Sequence, residues 1–392
     1  MEFDLSDEQR SIRDLCRDFA SEVVAPAAEE NDRNHRFPYD IVRQMGEMGL
    51  FGLPFPEDVG GAGGDFLSYC IAVEELSRAD AGVGITLEAA VSLGAAPIHE
   101  YGTREQRETW LPDLLAGRKL WAFGLTEPGA GSDAGGTRTR AELEDGQWRI
   151  NGSKQFITNS GTDISAGVTI TAVTGPAEGA SRGEISAILV PQGTPGYTVQ
   201  PPYRKLGWHC SDTHPLSFDD CRVPEANMLG VRGGGYRQFL RTLTGGRIAI
   251  AALSVGLAQA CLDASVAYAG ERQQFGRPIG AFQAIQFKLA DMATEVELAR
   301  LITYKAAVTY QEGESRWSEV PRLAAMAKLF ASETSKRAAD EAVQIHGGYG
   351  FIEDYPVARY YRDVKINEIG EGTSEVQRML IARDLGLQSP RI

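Results

Sequence analysis

Cysteine and histidine are scarce in this chain, five of each in 392 residues. Cys16, Cys70, Cys210, Cys221 and Cys261 form no C-x-x-C pair and are odd in number. The simplest reading is free thiols in a reducing cytoplasm. His209, Cys210 and His214 are the one cluster that suggests a metal, and their spacing fits no standard zinc pattern, so no metal is expected. Positive charge is also in deficit. Lys and Arg total 39 against 53 Asp and Glu, a net charge of −14. Nucleic acid and anionic membrane surfaces both attract clustered cations, so neither is an expected partner. An apolar stretch such as Ile248 to Ala252 is far too short to span a bilayer. No basic region followed by an apolar core marks a signal peptide, and there are no internal repeats or low-complexity segments.

What is present is ordinary for a soluble globular protein: 43% hydrophobic and 23% charged residues, in a chain long enough for two or three domains. The first third reads as helix. Ser6 and Gln9 have capping-box spacing, and Ile12, Leu15, Cys16, Phe19 and Val23 then recur on one face. Pro26 is expected to end that helix. Further helices fit Tyr39 to Met48, Phe66–Arg78, Gly84–Glu100 and Arg104–Ala116. Pro54, Pro56 and the glycines from Gly60 to Gly64 mark a long turn.

From about Lys119 the pattern changes to short β-rich runs: Val168–Val173, Ile185–Val190, Tyr197–Gln200 and Leu216–Phe218. Trp148-Arg149-Ile150 alternates and runs into Asn151-Gly152, a hairpin signal. A small antiparallel β domain is expected, with Arg222-Val223-Pro224 as its exit. After Gly233-Gly234-Gly235 the helical period returns over Tyr236–Gly270, interrupted at Gly245-Gly246, and over Ala281–Glu312, Ser318–His346 and Ser374–Leu385. The fold class is α+β, with a helical domain (1–118), an antiparallel β domain (119–229) and a four-helix-bundle-like domain (230–392).

Leu125-Thr126-Glu127-Pro128-Gly129-Ala130-Gly131-Ser132-Asp133 is the segment richest in chemistry. Pro128 makes it turn. Gly129 and Gly131 permit close approach and positive φ. The hydroxyls of Thr126 and Ser132 add donors, so the loop suits a phosphate-bearing cofactor. Five further motifs follow in order: Lys154 to Asn159, Arg204 to Trp208 with Phe218 to Pro224, Glu271 to Ile279, Gln344 to Phe351, and Ile369 to Glu375.

Taken together, these six motifs and the α–β–α order resemble the acyl-CoA dehydrogenase family over essentially the whole chain. The resemblance implies an FAD enzyme that oxidises an acyl-CoA thioester to the trans-2-enoyl-CoA. Glu371 matches the catalytic base, flanked by Gly370 and Gly372. A free Glu, with a pKa near ~4.3, is a poor base toward carbon, and burial would raise it. Read alone, Glu371 is a solvated acid at a helix N-terminus. The family implies that Phe123, Leu125, Thr126, Gly131 and Ser132 line the flavin, with Phe156, Ile157 and Thr158 at its ring. Without the family, Phe156-Ile157 is a core strand. Arg272 and Phe275 resemble residues that reach the FAD of a neighbouring subunit. Gln344 and Gly348 would contact the adenosine half, and Thr373 with Glu375 would close over the cofactor. Ser132, Thr244, Arg247 and Gly372 are assigned to substrate.

Three positions depart from the family pattern. Thr244 stands where an Asp is common, which weakens one contact to the pantetheine arm. Gly246 replaces the carboxylate that some relatives carry as base, leaving Glu371 as the matched base. Gly370 replaces a frequent aromatic and implies a roomier pocket near the reacting carbons. The segment Thr86–Pro97 resembles the floor of the acyl pocket, its small residues suggest room, and Glu88 within it reads as solvated. The implied partners are an acyl-CoA, an electron-transferring flavoprotein and further copies of the chain, at least a dimer and by family likeness a dimer of dimers, in the cytoplasm. Competing readings are an acyl-CoA oxidase, a carrier-protein-linked dehydrogenase and a flavin monooxygenase on the same fold.

Overall fold

The structure, a computed structural model, describes residues 4–176 and 183–387. The first third holds α1 (Asp7–Phe19), α2 (Ala25–Asn34), α3 (Tyr39–Glu47), α4 (Phe66–Ala79), α5 (Ala81–Glu88), α6 (Ala96–Tyr101) and α7 (Arg104–Leu115). The capping box is formed: Gln9 N donates to Ser6 Oγ at 3.2 Å, and Ser6 N to Gln9 Oε1 at 3.0 Å. Pro26 does not end the helix. A π-helical turn at Ala20–Val24 resets the ladder, so Pro26 falls in the first turn of α2, where its missing N–H costs nothing. The same device recurs at Ala89–Ala95 before Pro97. The helix expected over 84–100 thus starts at Ala81, capped by the Asp80 carboxylate, and widens in its middle.

The middle region holds β1 (Leu120–Gly124), β2 (Arg140–Glu144), β3 (Gln147–Thr158), β4 (Ser165–Gly175), β5 (Glu184–Pro191), β6 (Tyr197–Val199), β7 (Thr213–Pro224) and β8 (Met228–Leu229). Their order is β6-β7-β3-β2-β4-β5-β8, with β1 on β4. The sheet is mixed rather than antiparallel throughout, because β1 and the start of β2 run parallel to β4. The hairpin turn is also elsewhere. Asp145-Gly146, both at positive φ, joins β2 to β3, and β3 continues through Asn151-Gly152 with a bulge. Gly152 is needed there for another reason: a Cβ would sit 2.5 Å from Thr139 Oγ1.

The last third holds α8 (Gly235–Glu271), α9 (Gln283–Gln311), α10 (Val320–His346), α11 (Val357–Asp363) and α12 (Ser374–Asp384), with a short hairpin of β9 (Gln273–Gln274) and β10 (Arg277–Pro278) after α8. Gly245-Gly246 does not interrupt α8. Two helical glycines cost about 1 kcal/mol each, and close packing offsets that, since a Cβ on Gly245 would lie 3.0 Å from the Tyr310 hydroxyl. Helix α4 packs on α8 and α9, so one apolar core joins the two helical regions, while a second fills the sheet. By length and hydropathy the helical stretches 81–101 and 235–271 would suffice to cross a membrane, which the short run at 248–252 did not suggest. Of their apolar windows 89% and 78% are buried inside this fold, as in core helices.

Candidate active site

The connection between α11 and α12 presents Glu371. Its φ of 53° is left-handed, a costly conformation for a non-glycine, and Gly372 follows at 97°. Three elements hold that shape through its carbonyls. Lys328 Nζ of α10 donates to Gly372 O at 2.8 Å, Gln377 Nε2 of α12 donates to the same oxygen at 2.8 Å, and Arg247 Nε of α8 reaches Glu371 O at 3.3 Å. Thr373 then caps α12 by accepting from Val376 N. The carboxylate lies against Gly246, where a Cβ would fall 2.1 Å from Glu371 Oε2. Gly246 is therefore space for a carboxylate, while Gly245 serves the packing against Tyr310. Glu371 lines a cavity, yet its Oε2 is fully enclosed and has no hydrogen-bond partner among the described residues. Burial pushes its pKa up to about 7, against the pull of Glu88, Arg247 and Lys328.

Glu88 is not solvated. It is fully buried at the end of α5, and its carboxyl faces the Glu371 carboxylate. Burial, then the charge of Glu371, holds its pKa well above the carboxylate range.

The Leu125–Asp133 loop is anchored from beneath. Glu127 and Ala130 exchange backbone hydrogen bonds at 3.0 and 3.1 Å, closing the Pro128-Gly129 turn. The buried Glu127 carboxylate accepts from Lys154 Nζ at 2.7 Å, Arg138 N at 2.7 Å and Thr139 N at 3.1 Å. Burial opposes its charge, but Lys154 and these donors outweigh it and hold its pKa down at about 2. Gln155 N donates to Thr126 O at 2.8 Å, tying the loop to β3. Neither Gly129 nor Gly131 has positive φ, contrary to expectation. Both lie where a Cβ would meet nothing within 4 Å, so their use is open approach. Phe156 is not a core residue: a bulge in β3 gives it φ 61° and leaves it 62% exposed toward the cavity, while Ile157 is buried.

One cavity of about 2470 Å³ joins these parts. Phe123, Leu125, Thr126, Gly131, Ser132, Phe156, Ile157, Thr158, Thr244, Arg247, Glu371, Gly372 and Thr373 all line it. Thr244 is buried there with its hydroxyl bonded to Leu240 O at 3.2 Å.

Three family models match in this order: the acyl-CoA dehydrogenase N-terminal domain (residues 6–118), middle domain (122–221) and C-terminal domain (233–386). The chain belongs to the acyl-CoA dehydrogenase family. These are oxidoreductases. A probable acyl-CoA dehydrogenase of Bacillus subtilis is 52% identical over 98% of this chain and 100% of its own. Among solved structures, butyryl-CoA dehydrogenase from Megasphaera elsdenii superposes with a TM-score of 0.93 at 44% identity, over 99% of this chain and 100% of that one. A chain from the structure of the electron transferring flavoprotein of Acidaminococcus fermentans gives 0.94 at 45%, over 98% and 99%. An acyl-CoA dehydrogenase from Bacillus anthracis complexed with FAD gives 0.90 at 35%, over 97% and 67%.

The remaining family-matched residues lie outside the main cavity. Arg272 and Gly348 share a second depression of about 510 Å³ with Tyr268, His346 and Tyr349, and the Arg272 guanidinium sits 5.3 Å from the Tyr349 ring centroid. Gln344 is exposed near the end of α10, beside that depression. Phe275 is 93% exposed at φ 53°. Glu375 is exposed in the first turn of α12. His209, Cys210 and His214 separate into different contacts, with Asp32, Asp80 and Asp212 respectively, and no group of three His, Cys, Asp or Glu gathers among the described residues. Sequence reading assigned no role to Glu127, Lys154, Lys328 or Gln377. Lys154 opens a quoted motif, which was a usable signal. Lys328 and Gln377 act on backbone carbonyls, which leaves no pattern in sequence.

Proposed function

We propose that this chain catalyses FAD-dependent α,β-dehydrogenation of a short acyl-CoA thioester to the trans-2-enoyl-CoA, with Glu371 as the base. The observation that carries this reading is the Glu371 carboxylate: enclosed, raised toward pH 7 and fixed on the wall of the cavity that also holds the glycine loop. A base matched to the working pH gains both the ionised fraction and the driving force for proton transfer. Glu371 takes the α proton onto its carboxylate. Its backbone N–H is assigned to the thioester oxygen, where enolate charge develops. Arg247 and Lys328 hold the loop and offset the carboxylate charge before transfer.

The residues present fit FAD. The cavity is large enough for cofactor and substrate together, Gly129 and Gly131 leave open space above the loop, and the exposed Phe156 offers an aromatic face. When bound, FAD supplies the acceptor for the β hydrogen and its electron pair. Phe123, Leu125, Thr126, Gly131, Ser132, Phe156, Ile157, Thr158 and Thr373 would hold it, and Glu375 is assigned to close over it. Arg272 and Phe275, set apart from the cavity, are assigned to the FAD of a second subunit, which makes the enzyme at least a dimer, and Gln344 and Gly348 are assigned to the adenosine half. Ser132, Thr244, Arg247 and Gly372 are assigned to the thioester. A short acyl group is favoured by the butyryl-CoA dehydrogenase likeness, and an electron-transferring flavoprotein as acceptor by the Acidaminococcus likeness.

Anaerobic titration of the flavoprotein with straight and branched acyl-CoAs tests this. Flavin absorbance should bleach with short thioesters, and Glu371→Gln should abolish bleaching while binding persists. Flavin that no acyl-CoA reduces would instead favour a carrier-protein thioester or monooxygenase chemistry. Rapid reoxidation by air with peroxide release would favour an oxidase.

A further inference from the structure

We infer that Glu88 is a positioning residue for the base: it keeps one proton and donates it as a hydrogen bond to the Glu371 carboxylate. This rests on the reading of Glu371 as base. Glu88 closes α5 at the start of the π-helical stretch Ala89–Ala95. In that wide turn the Ser92 hydroxyl reaches back to Glu88 O at 2.9 Å and to Glu88 Oε1. The Tyr69 hydroxyl donates to Glu88 O at 3.1 Å. Glu88 Oε2 is enclosed without a partner among the described residues, and so is Glu371 Oε2. Two facing buried carboxylates cannot both be ionised without large cost, and one proton between them satisfies an oxygen on each.

The surroundings decide which residue keeps it. Facing Glu371 are two cations, Arg247 from α8 and Lys328 from α10, with Arg383 of α12 beyond Arg247. Facing Glu88 are Tyr69 and Cys70 of α4, Ser92, and Glu371 itself, none of them cationic. Negative charge is therefore favoured on Glu371 and the proton on Glu88. The direction of both titrations agrees: Glu371 raises Glu88, and the Glu88 hydrogen bond lowers Glu371. The consequence is a base kept ionised and aimed from one side by a neutral acid, with Gly246 giving it room on the other.

The test uses the flavin-loaded enzyme with Glu88→Leu and Glu88→Gln, checked for flavin content, and reads kcat/KM for butyryl-CoA against pH. Glu88→Leu removes the donor and should move the acid limb upward by about one pH unit, a tenfold loss below it. Glu88→Gln keeps an N–H donor and should leave the limb within a few tenths. An unmoved or lowered limb in Glu88→Leu, or an equal shift in Glu88→Gln, overturns the inference. Infrared difference spectra of the resting enzyme at neutral pH give a readout without turnover. A protonated-carboxyl band should appear in the wild-type-minus-Glu88→Gln difference, and its absence there refutes the assignment even if Glu88→Leu fails to fold. If Glu371→Gln still reduces flavin, the base reading itself fails. If it is inactive while the Glu88 variants change nothing, only the present inference does.

Discussion

Gly246→Ala adds one methyl group and isolates the geometry of the base. The new Cβ would lie 2.1 Å from Glu371 Oε2. Non-bonded contacts below about 3.0 Å are repulsive, so the carboxylate must retreat by about 1 Å. The loop that carries it cannot follow, because Lys328, Gln377 and Arg247 hold its carbonyls from three helices. The side chain alone swings into the cavity, away from the proton it must take. A misplacement of about 1 Å at the reacting centre costs on the order of 10²-fold in rate, or about 2.7 kcal/mol of barrier. Stability should move the other way, since Ala exceeds Gly in helix propensity by about 1 kcal/mol. Stopped-flow flavin reduction by excess butyryl-CoA under anaerobic conditions measures the rate, and thermal melting with matched FAD content measures stability. A Gly246→Ala enzyme that reduces its flavin at the wild-type rate would refute the packing of Glu371 against α8.

Four further outcomes are expected. Wild-type kcat/KM should rise with pH through about 7, because Glu371 is productive only when ionised. Lys328→Met removes a cation that favours that ionised form and the donor to Gly372 O, so the same limb should move to higher pH with flavin retained; a lower or unchanged midpoint contradicts this. Gly370→Tyr should disfavour branched thioesters at least ~10-fold relative to straight ones, because a side chain there extends from a Cβ whose nearest neighbour is Ile366 O at 3.5 Å; an unchanged branching profile counts against it. Lys154→Met strands the buried Glu127 carboxylate, and losing one partner of a buried pair costs about 3–5 kcal/mol. Its melting temperature and flavin affinity should both fall, and a variant that keeps its flavin through gel filtration would show that the loop does not depend on the pair.

Local signals carried what local physics controls. The Ser6–Gln9 box, the helices near 39–48, 66–78 and 104–116, and the long helical repeats after Gly235 were legible because period and caps act over a few residues. The order of motifs also carried the family. Where glycine and proline served distant partners, their local meaning misled. Pro26 ended nothing because a π turn resets the helix before it, Gly152 marked a bulge beside Thr139 instead of a turn, and Gly245-Gly246 broke no helix.

By itself the sequence determined the helix–sheet–helix order, the family and Glu371 as the matched acid. Only the tertiary structure decided that Glu371 meets Glu88, a residue far earlier in the chain that reads locally as solvated. It likewise decided that Phe156 turns out of its strand and that Lys328 and Gln377 brace the Glu371–Gly372 loop from separate helices. The reason is physical. Propensity and capping are short-range, whereas proton affinity depends on burial and on the charges brought to within a few ångströms, and those are fixed only when the chain packs.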